Sequence, residues 1–239
     1  MHLAILMTNT DESAFARRHP DDGTKFTDLI HLVRPGWRTT VFPVKDGAFP
    51  EQIDRFDGAL ITGSPASTRS GAGWTLRLFE LIRDMATRRQ PLVGICFGHQ
   101  AIALALGGAV GDNPRGWAHG LLHARMLTRP DWARDLPDVV RLYGSHSEQV
   151  IRAPEGATVL ARSEGCPIAG LALGRHIYTT QHHPEMDLEF ITDLTGEMAT
   201  ELGPDVTARA RASLSDPADT GAFAESIARF FEGDRAPQA

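Results

Sequence analysis

One cysteine of this sequence stands where a nucleophile could act. Cys96 lies within Gly94-Ile95-Cys96-Phe97-Gly98, between an apolar run that predicts a strand and a segment that predicts a helix. Such a sharp turn exposes its central side chain above the sheet edge, and the flanking glycines permit close backbone approach. The amino end of the helix favours a thiolate and leaves the Phe97 N–H to face an oxyanion. The pattern predicts a nucleophilic cysteine, with a small buried cysteine in a tight turn as the alternative.

A base and an orienting carboxylate follow at the end of a later predicted strand. A thiol nucleophile needs a base, and the base needs an acceptor that orients it. Gln181-His182-His183-Pro184-Glu185 offers both. Strand alternation puts His182 and His183 on opposite faces, so at most one of them faces Cys96. We therefore predict a Cys96–His183–Glu185 triad, and the alternative is a histidine that is hydrogen-bonded for structure alone.

Composition and charge exclude several function classes. The chain of 239 residues is 42% hydrophobic and carries a net charge of −6, with its arginines scattered, so we expect no nucleic-acid binding. The histidines lack ligand spacing and no CxxC is present, so we expect no metal and no cofactor. We expect no membrane contact, because no run is long enough to span a bilayer. Two cysteines and a start without signal-peptide features predict a cytoplasmic setting.

The elements that must position these residues alternate along the chain. Continuous apolar runs predict buried strands over 3–7, 39–44, 58–62 and 91–95. Apolar residues at helical spacing predict helices over 26–33, 76–85 and 97–106. This order predicts an α/β fold, a single flavodoxin-like domain whose mostly parallel central sheet has helices on both faces.

After residue 106 the sequence pattern differs from that of the first part of the chain. Short runs separated by Gly/Pro turns predict a small, partly antiparallel strand region over 121–127, 139–143, 157–162, 168–173 and 176–180. A helix is predicted from 188 to 202, then a polar and mobile linker over 203–220. We expect one domain over 1–239, with a core of about 1–202 and a C-terminal helix of about 221–232.

The two candidate motifs together resemble the class I, triad-type, glutamine amidotransferase family. Gly94–Gln100 is similar to the family's nucleophile motif, and Gln181–Glu185 to the motif in which the histidine before Pro-Glu is the base. The resemblance spans most of the chain, from the first strand through the helix after Glu185. It implies hydrolysis of the side-chain amide of glutamine through a γ-glutamyl thioester.

The resemblance also implies roles at matched positions. Thr62-Gly63-Ser64-Pro65 matches the turn that gives the second oxyanion N–H. Many relatives have glycine where Ser64 stands, so the donor survives only if Ser64 adopts the needed dihedrals. Gln100 is implied to help hold the glutamine substrate, and the backbone of Ser145-His146 is implied to lie along the amino-acid end of that substrate. His182 departs from the family's common aromatic residue or glycine.

The sequence leaves open which group departs from the γ-carbonyl. The chain resembles stand-alone relatives of the amidotransferase half of GMP synthase, which implies ammonia delivered to a separate synthase partner. It also resembles γ-glutamyl peptidases, and loops near Gly71–Trp74 and Gly116–Gly120 would then leave room for a larger leaving group. A redox or chaperone module on the same scaffold would not need His183 and Glu185. A cysteine α/β-hydrolase would place its acid before the histidine, whereas Glu185 follows His183.

Overall fold

The computed structural model describes residues 1–233, so the last six positions of the expected domain, 234–239, lie outside the described residues. The strands within this range are β1 (His2–Met7), β2 (Arg38–Pro43), β3 (Gly58–Ile61), β4 (Leu92–Ile95), β5 (Ala109–Asp112), β6 (Ala118–Met126), β7 (Val139–His146), β8 (Glu148–Arg152), β9 (Thr158–Ser163), β10 (Cys166–Leu173) and β11 (Ile177–Thr180). The helices are α1 (Asp22–Val33), α2 (Gly73–Thr87), α3 (Phe97–Ala105), α4 (Leu188–Glu197), α5 (Ala199–Ser213) and α6 (Thr220–Glu232). None of the helices found in residues 1–233 combines the length and the apolar character needed to cross a membrane.

A nine-stranded sheet forms the centre of the molecule, in the order β2-β1-β3-β4-β11-β10-β9-β6-β7. The strands from β2 to β11 pair in parallel, and the four that follow pair antiparallel. Only β10 and β6 of these described strands therefore run against the common direction. A second sheet of β5 and β8 was not predicted. The α/β fold class with a mostly parallel sheet is confirmed.

Helices cover both faces of the parallel half, as β1 illustrates. Its alternate residues Leu3 and Ile5 join a core that includes residues of α1 and α6. Ala4 and Leu6 point the other way and join a core built with α2 and α3. Because both faces are buried, the strand is a continuous apolar run rather than an alternating one.

The predicted mobile linker over 203–220 is wrong, because helix α5 occupies its first half. The helix kinks at Gly203, where φ is 73° and ψ is 167°. Its end is fixed to the sheet by the Leu121 N–H, which donates to Ser213 Oγ at 2.9 Å. Only a narrow stripe of this helix is buried: Leu202, Thr207 and Ala210. A helix with so few apolar positions gives little hydrophobic periodicity in the sequence.

Packing at the start of β3 gives a stability test. A Cβ on Gly58 would lie 2.7 Å from Cε1 of Phe231 and 2.8 Å from the Pro91 carbonyl oxygen. We expect Gly58→Ala to lower the free energy of unfolding by about 1–3 kcal/mol, since α6 or β4 must shift. Urea denaturation measures this. Gly36→Ala is the control, because a Cβ there meets no described heavy atom within 4 Å. Equal midpoints for the two variants would contradict this packing.

Candidate active site

The turn between β4 and α3 holds Cys96 in a strained conformation. Its φ is 50° and its ψ is −100°, in a region that residues with a side chain rarely occupy. The Cys96 N–H donates to the Thr180 carbonyl at 2.9 Å, and the Cys96 carbonyl accepts from the Gln100 N–H at 3.1 Å. Hydrogen bonds on both sides therefore fix the cysteine at the start of the helix.

Two glycines beside Cys96 allow the backbones to meet. A Cβ on Gly98 would lie 2.5 Å from the carbonyl oxygen of Ile61 in β3. A Cβ on Gly94 would lie 2.7 Å from the carbonyl group of Gly98. Strands β3 and β4 and helix α3 thus approach closely at this point, and a side chain at either position would force them apart.

A buried histidine–carboxylate pair lies beyond the end of β11. The His183 N–H donates to the Tyr143 carbonyl at 2.8 Å, which fixes its backbone. Its Nδ1 lies 2.5 Å from Oε1 of Glu185, and the two side chains are only 6% and 2% exposed. Burial lowers the pKa of His183, but electrostatic interactions and hydrogen bonds with Glu185 and Cys96 outweigh it and hold that pKa well above its ordinary value.

The three members of the predicted triad line one cavity of about 140 Å³, together with Gly63 and Ser64. Gly63 makes room for the base, because a Cβ there would lie 2.6 Å from Cε1 of His183. Ser64 does not have a positive φ. Its Oγ accepts from the Ala66 N–H at 3.1 Å, which closes the turn locally. Serine therefore fits this position without the conformational freedom of glycine.

The cavity is also lined by Trp117, Ser145 and Met198. The Ser145 hydroxyl lies 3.0 Å from Nδ1 of His119 and 3.6 Å from Sδ of Met198, so it is held on two sides. Of the two loops expected to leave room for a larger leaving group, Gly116–Gly120 thus contributes Trp117. The other loop ends at Trp74, which stacks on Phe97 with 5.4 Å between the ring centroids.

Two residues expected to hold the substrate have side chains that do not line this cavity. Gln100 donates from Nε2 to the Glu148 carbonyl at 2.9 Å and to Oε1 of Gln181 at 3.3 Å. His146 is buried, with its Nδ1 3.0 Å from the same carbonyl. Gln181, which had no predicted role, donates from Nε2 to Cys96 Sγ at 3.5 Å. Gln181 is two positions before His183, and in an extended chain side chains at that spacing point to the same side. This spacing was the signal in the sequence that could have placed Gln181 near Cys96.

His182 is fully buried and does not line the cavity. Its ring stacks on His146 with 6.0 Å between centroids, and its Nε2 lies 3.3 Å from Ser163 Oγ. Burial, and then the neighbouring His146 and His183, lower its pKa well below the ordinary value, so it is neutral. Within residues 1–233, no three His, Cys, Asp or Glu side chains are grouped to hold a metal ion.

Asp22 is a cavity residue that sequence reasoning missed. It is the first residue of α1, and its side chain is buried. Burial raises its pKa to about 6; Lys25 opposes that shift and Glu185 adds to it. Beside it, Oε2 of Glu185 is buried without a hydrogen-bond partner among the described residues. Asp21-Asp22 resembles an ordinary helix start, where Asp21 caps the Thr24 N–H at 2.7 Å, so nothing local marks Asp22.

Comparison with known proteins agrees with this geometry. Residues 21–190 match the family described as glutamine amidotransferase class-I. This chain belongs to that family. γ-Glutamyl peptidase 3 of Arabidopsis thaliana is 31% identical over 167 residues, 66% of this chain and 67% of the relative.

Other relatives and solved structures extend the comparison. A glutamine-hydrolysing GMP synthase of Aeropyrum pernix is 33% identical over 139 residues, 58% of this chain but only 26% of the relative. The crystal structure of a Thermotoga maritima glutamine amidotransferase has a TM-score of 0.76 and 18% identity, and it covers 97% of this chain and 98% of the other. That likeness concerns the fold, and it confirms the architecture described above.

The raised pKa of Asp22 predicts a pH-dependent stability difference. Between its ordinary pKa of 3.8 and the folded value of about 6, the folded state retains a proton that the unfolded state releases. The wild type therefore loses stability relative to Asp22→Asn as pH rises through this window, by up to about 3 kcal/mol. Denaturant unfolding from about pH 4 to pH 7 measures the difference.

Asp21→Asn is the control for this test, because asparagine keeps the helix cap. We expect it to change the free energy of unfolding little across the same range. A constant difference between wild type and Asp22→Asn at every pH would contradict the buried, protonated Asp22.

Proposed function

We propose that this chain hydrolyses γ-glutamyl amide bonds, with glutamine as the smallest substrate, through the triad Cys96, His183 and Glu185. The observation that carries this proposal is the strained cysteine at a helix start, which shares one cavity with a buried histidine–glutamate pair. Membership of the glutamine amidotransferase class-I family supports the same chemistry. No cofactor takes part in the proposed reaction.

In the first step the γ-carbonyl carbon of the substrate lies beside Cys96 Sγ. His183 holds the thiol proton, and the sulfur forms a bond to the carbon while the carbonyl oxygen becomes negative. We assign the oxyanion donors to the N–H of Phe97 and the turn at Gly63-Ser64. The first N–H groups of a helix lack intrahelical partners, so Phe97 is suited to this role. Each such donor contributes roughly 10²–10³ in kcat.

In the second step the carbon–nitrogen bond breaks and His183 gives its proton to the leaving nitrogen. A γ-glutamyl thioester remains on Cys96. Water, deprotonated by His183, then attacks the thioester and releases glutamate and the free thiol. Glu185 accepts from Nδ1 of His183 throughout, which leaves Nε2 for the proton exchange.

We assign substrate contact to Ser145, which lines the cavity. Gln100 and His146, predicted as substrate contacts, are instead proposed to act through the backbone at Glu148, to which both are hydrogen-bonded. Gln181 is proposed to hold the sulfur of Cys96 in place. Because both cysteines are free, we also propose a reducing, cytoplasmic setting.

The leaving group has two candidates. Glutamine would release ammonia for a separate synthase, and the similarity to part of the GMP synthase of Aeropyrum pernix supports such a partner. A γ-glutamyl peptide would release an amine, and the similarity to γ-glutamyl peptidase 3 supports that substrate. The structure adds an argument for the γ-glutamyl peptide, because a larger cavity shares lining residues with the cavity of Cys96 and could hold a larger leaving group.

Substitutions in the triad test the proposed chemistry. We expect Cys96→Ala to reduce kcat/KM for glutamine or γ-glutamyl peptides by on the order of 10⁴-fold or more, and His183→Asn to be nearly as damaging. His182→Asn should be milder, because that ring is buried against His146 and does not line the cavity. Steady-state assays of glutamate release measure all three. Wild-type rates for Cys96→Ala, or equal losses at both histidines, would refute these assignments.

Selective alkylation tests the nucleophile independently. Burial raises the pKa of Cys166 to about 12, so that thiol carries almost no thiolate at neutral pH. A glutamine-directed electrophile should therefore modify Cys96 alone, and excess glutamine should protect it. Peptide mass mapping locates the adduct. Cys166→Ala is the matched control and should be labelled like the wild type; an adduct found mainly on Cys166 would contradict the assignment.

A further inference from the structure

A second cavity of about 550 Å³ adjoins the catalytic cavity of about 140 Å³. The two share a wall made mainly by the segment between β1 and α1: Asn9, Asp11, Phe15, Asp22 and Phe190. Sites for small molecules usually measure about 300–1,000 Å³. The catalytic cavity is smaller than that range, whereas the adjoining cavity falls within it. Together they would accommodate a ligand considerably longer than glutamine.

The proposed mechanism indicates where the leaving side of the substrate would lie relative to this larger cavity. In the proposed mechanism His183 protonates the leaving nitrogen, so the leaving group begins beside its ring. Asp22 lies close enough to His183 and Glu185 that their charges shift its pKa, and it forms part of both cavity walls. Ser145 and Trp117, in contrast, line only the catalytic cavity. The geometry therefore directs the leaving group past Asp22.

Lys25 is the cation best placed to bind an anion there. Its side chain is 11% exposed, and its nearest carboxylate, Asp22 Oδ1, is 3.6 Å away. A charge-assisted hydrogen bond is shorter, about 2.7–2.9 Å, so this contact leaves an ammonium with three donors incompletely used. The ammonium also lies 3.4 Å from the ring centroid of Phe190, in the shared wall.

The other cations of the larger cavity are engaged differently. Lys45 donates to Glu12 at 2.7 Å and to Asp46 at 2.8 Å, both good ion-pair distances. Arg17 is exposed, and it donates to the backbone carbonyl of Glu12. Lys45 is about as little exposed as Lys25, but it and Arg17 bind Glu12 and Asp46, which do not line the catalytic cavity. Lys25 instead contacts Phe190, which lines both cavities.

We propose that the larger cavity is a leaving-group subsite for the amino acid or dipeptide of a γ-glutamyl peptide, with Lys25 binding its free carboxylate. This proposal rests on the hydrolysis at Cys96 proposed above. When the γ-carbonyl–nitrogen bond breaks, the amide nitrogen takes the proton held by His183 and leaves as a free amine. The amine then takes a second proton from water, and the amino acid or dipeptide becomes a zwitterion. Its ammonium then lies near the acidic groups Asp11 and Asp22, and its carboxylate lies at Lys25. The mixed charge of the cavity walls fits such a product.

Matched substrates and variants test this subsite. The substrates are glutamine, γ-glutamylglycine and γ-glutamylglycinamide, and the last differs from the peptide only in its missing carboxylate. We expect Lys25→Met to reduce kcat/KM for γ-glutamylglycine about tenfold or more, mainly through KM. The amide and glutamine should change by less than about twofold, and this also reports that the variant is folded.

Two further variants act as controls. Lys25→Arg keeps the charge and should restore most of the activity toward γ-glutamylglycine, whereas Lys45→Met should behave as wild type. A loss that is equal for all three substrates, or absent, while glutamine is still cleaved by the wild type would overturn the subsite alone. If the wild type cleaves neither glutamine nor either γ-glutamyl compound, the proposed hydrolysis is wrong and the subsite is refuted with it.

Discussion

The conformation of Cys96 is the constraint on which the remaining site depends. A cysteine with φ of 50° and ψ of −100° costs roughly 1–3 kcal/mol, and only surroundings that over-determine it can keep it there. Two hydrogen bonds hold the turn in this conformation: the Cys96 N–H donates to the Thr180 carbonyl at the end of β11, and the Gly98 N–H donates to the Thr62 carbonyl just after β3. The same turn sets the direction of the thiol, the start of the helix and the position of its first N–H groups. A relaxed turn would lose all three together.

Strand order explains why a second segment, far along the chain, meets this turn. β11 pairs in parallel with β4, and Thr180 lies opposite Ile95. Both strands therefore end at the same sheet edge, where open α/β sheets bind ligands. Cys96 leaves one strand and His183 follows the other, although β5 to β10 intervene in sequence. The antiparallel extension also contributes, since the Tyr143 carbonyl of β7 fixes the His183 backbone.

Local patterns in the sequence predicted the parallel strands and most helices, because each depends on neighbouring residues. The triad stays a prediction, and its three members line one cavity. The elbow needs glycines next to Cys96, and His183 and Glu185 are two positions apart. Asp22 was missed because its relation to Glu185 exists only across the folded chain. Helix α5 was missed because its buried stripe is narrow. Gln100, which was predicted to help hold the substrate, does not line the cavity, because motif similarity does not determine the direction of a side chain.

The charged groups that act on Asp22 lie in the walls of both cavities. Two buried carboxyl groups close together are costly to ionise together. Burial and the nearby Glu185 raise the pKa of Asp22, while Lys25 opposes that shift. An anion bound at Lys25 would offset the charge of the ammonium and so favour the protonated form of Asp22. A protonated Asp22 adds no negative charge beside Glu185, which remains the acceptor for Nδ1 of His183. Lys25, in the wall of the larger cavity, and Glu185, in the wall of the smaller one, thus shift the pKa of Asp22 in opposite directions.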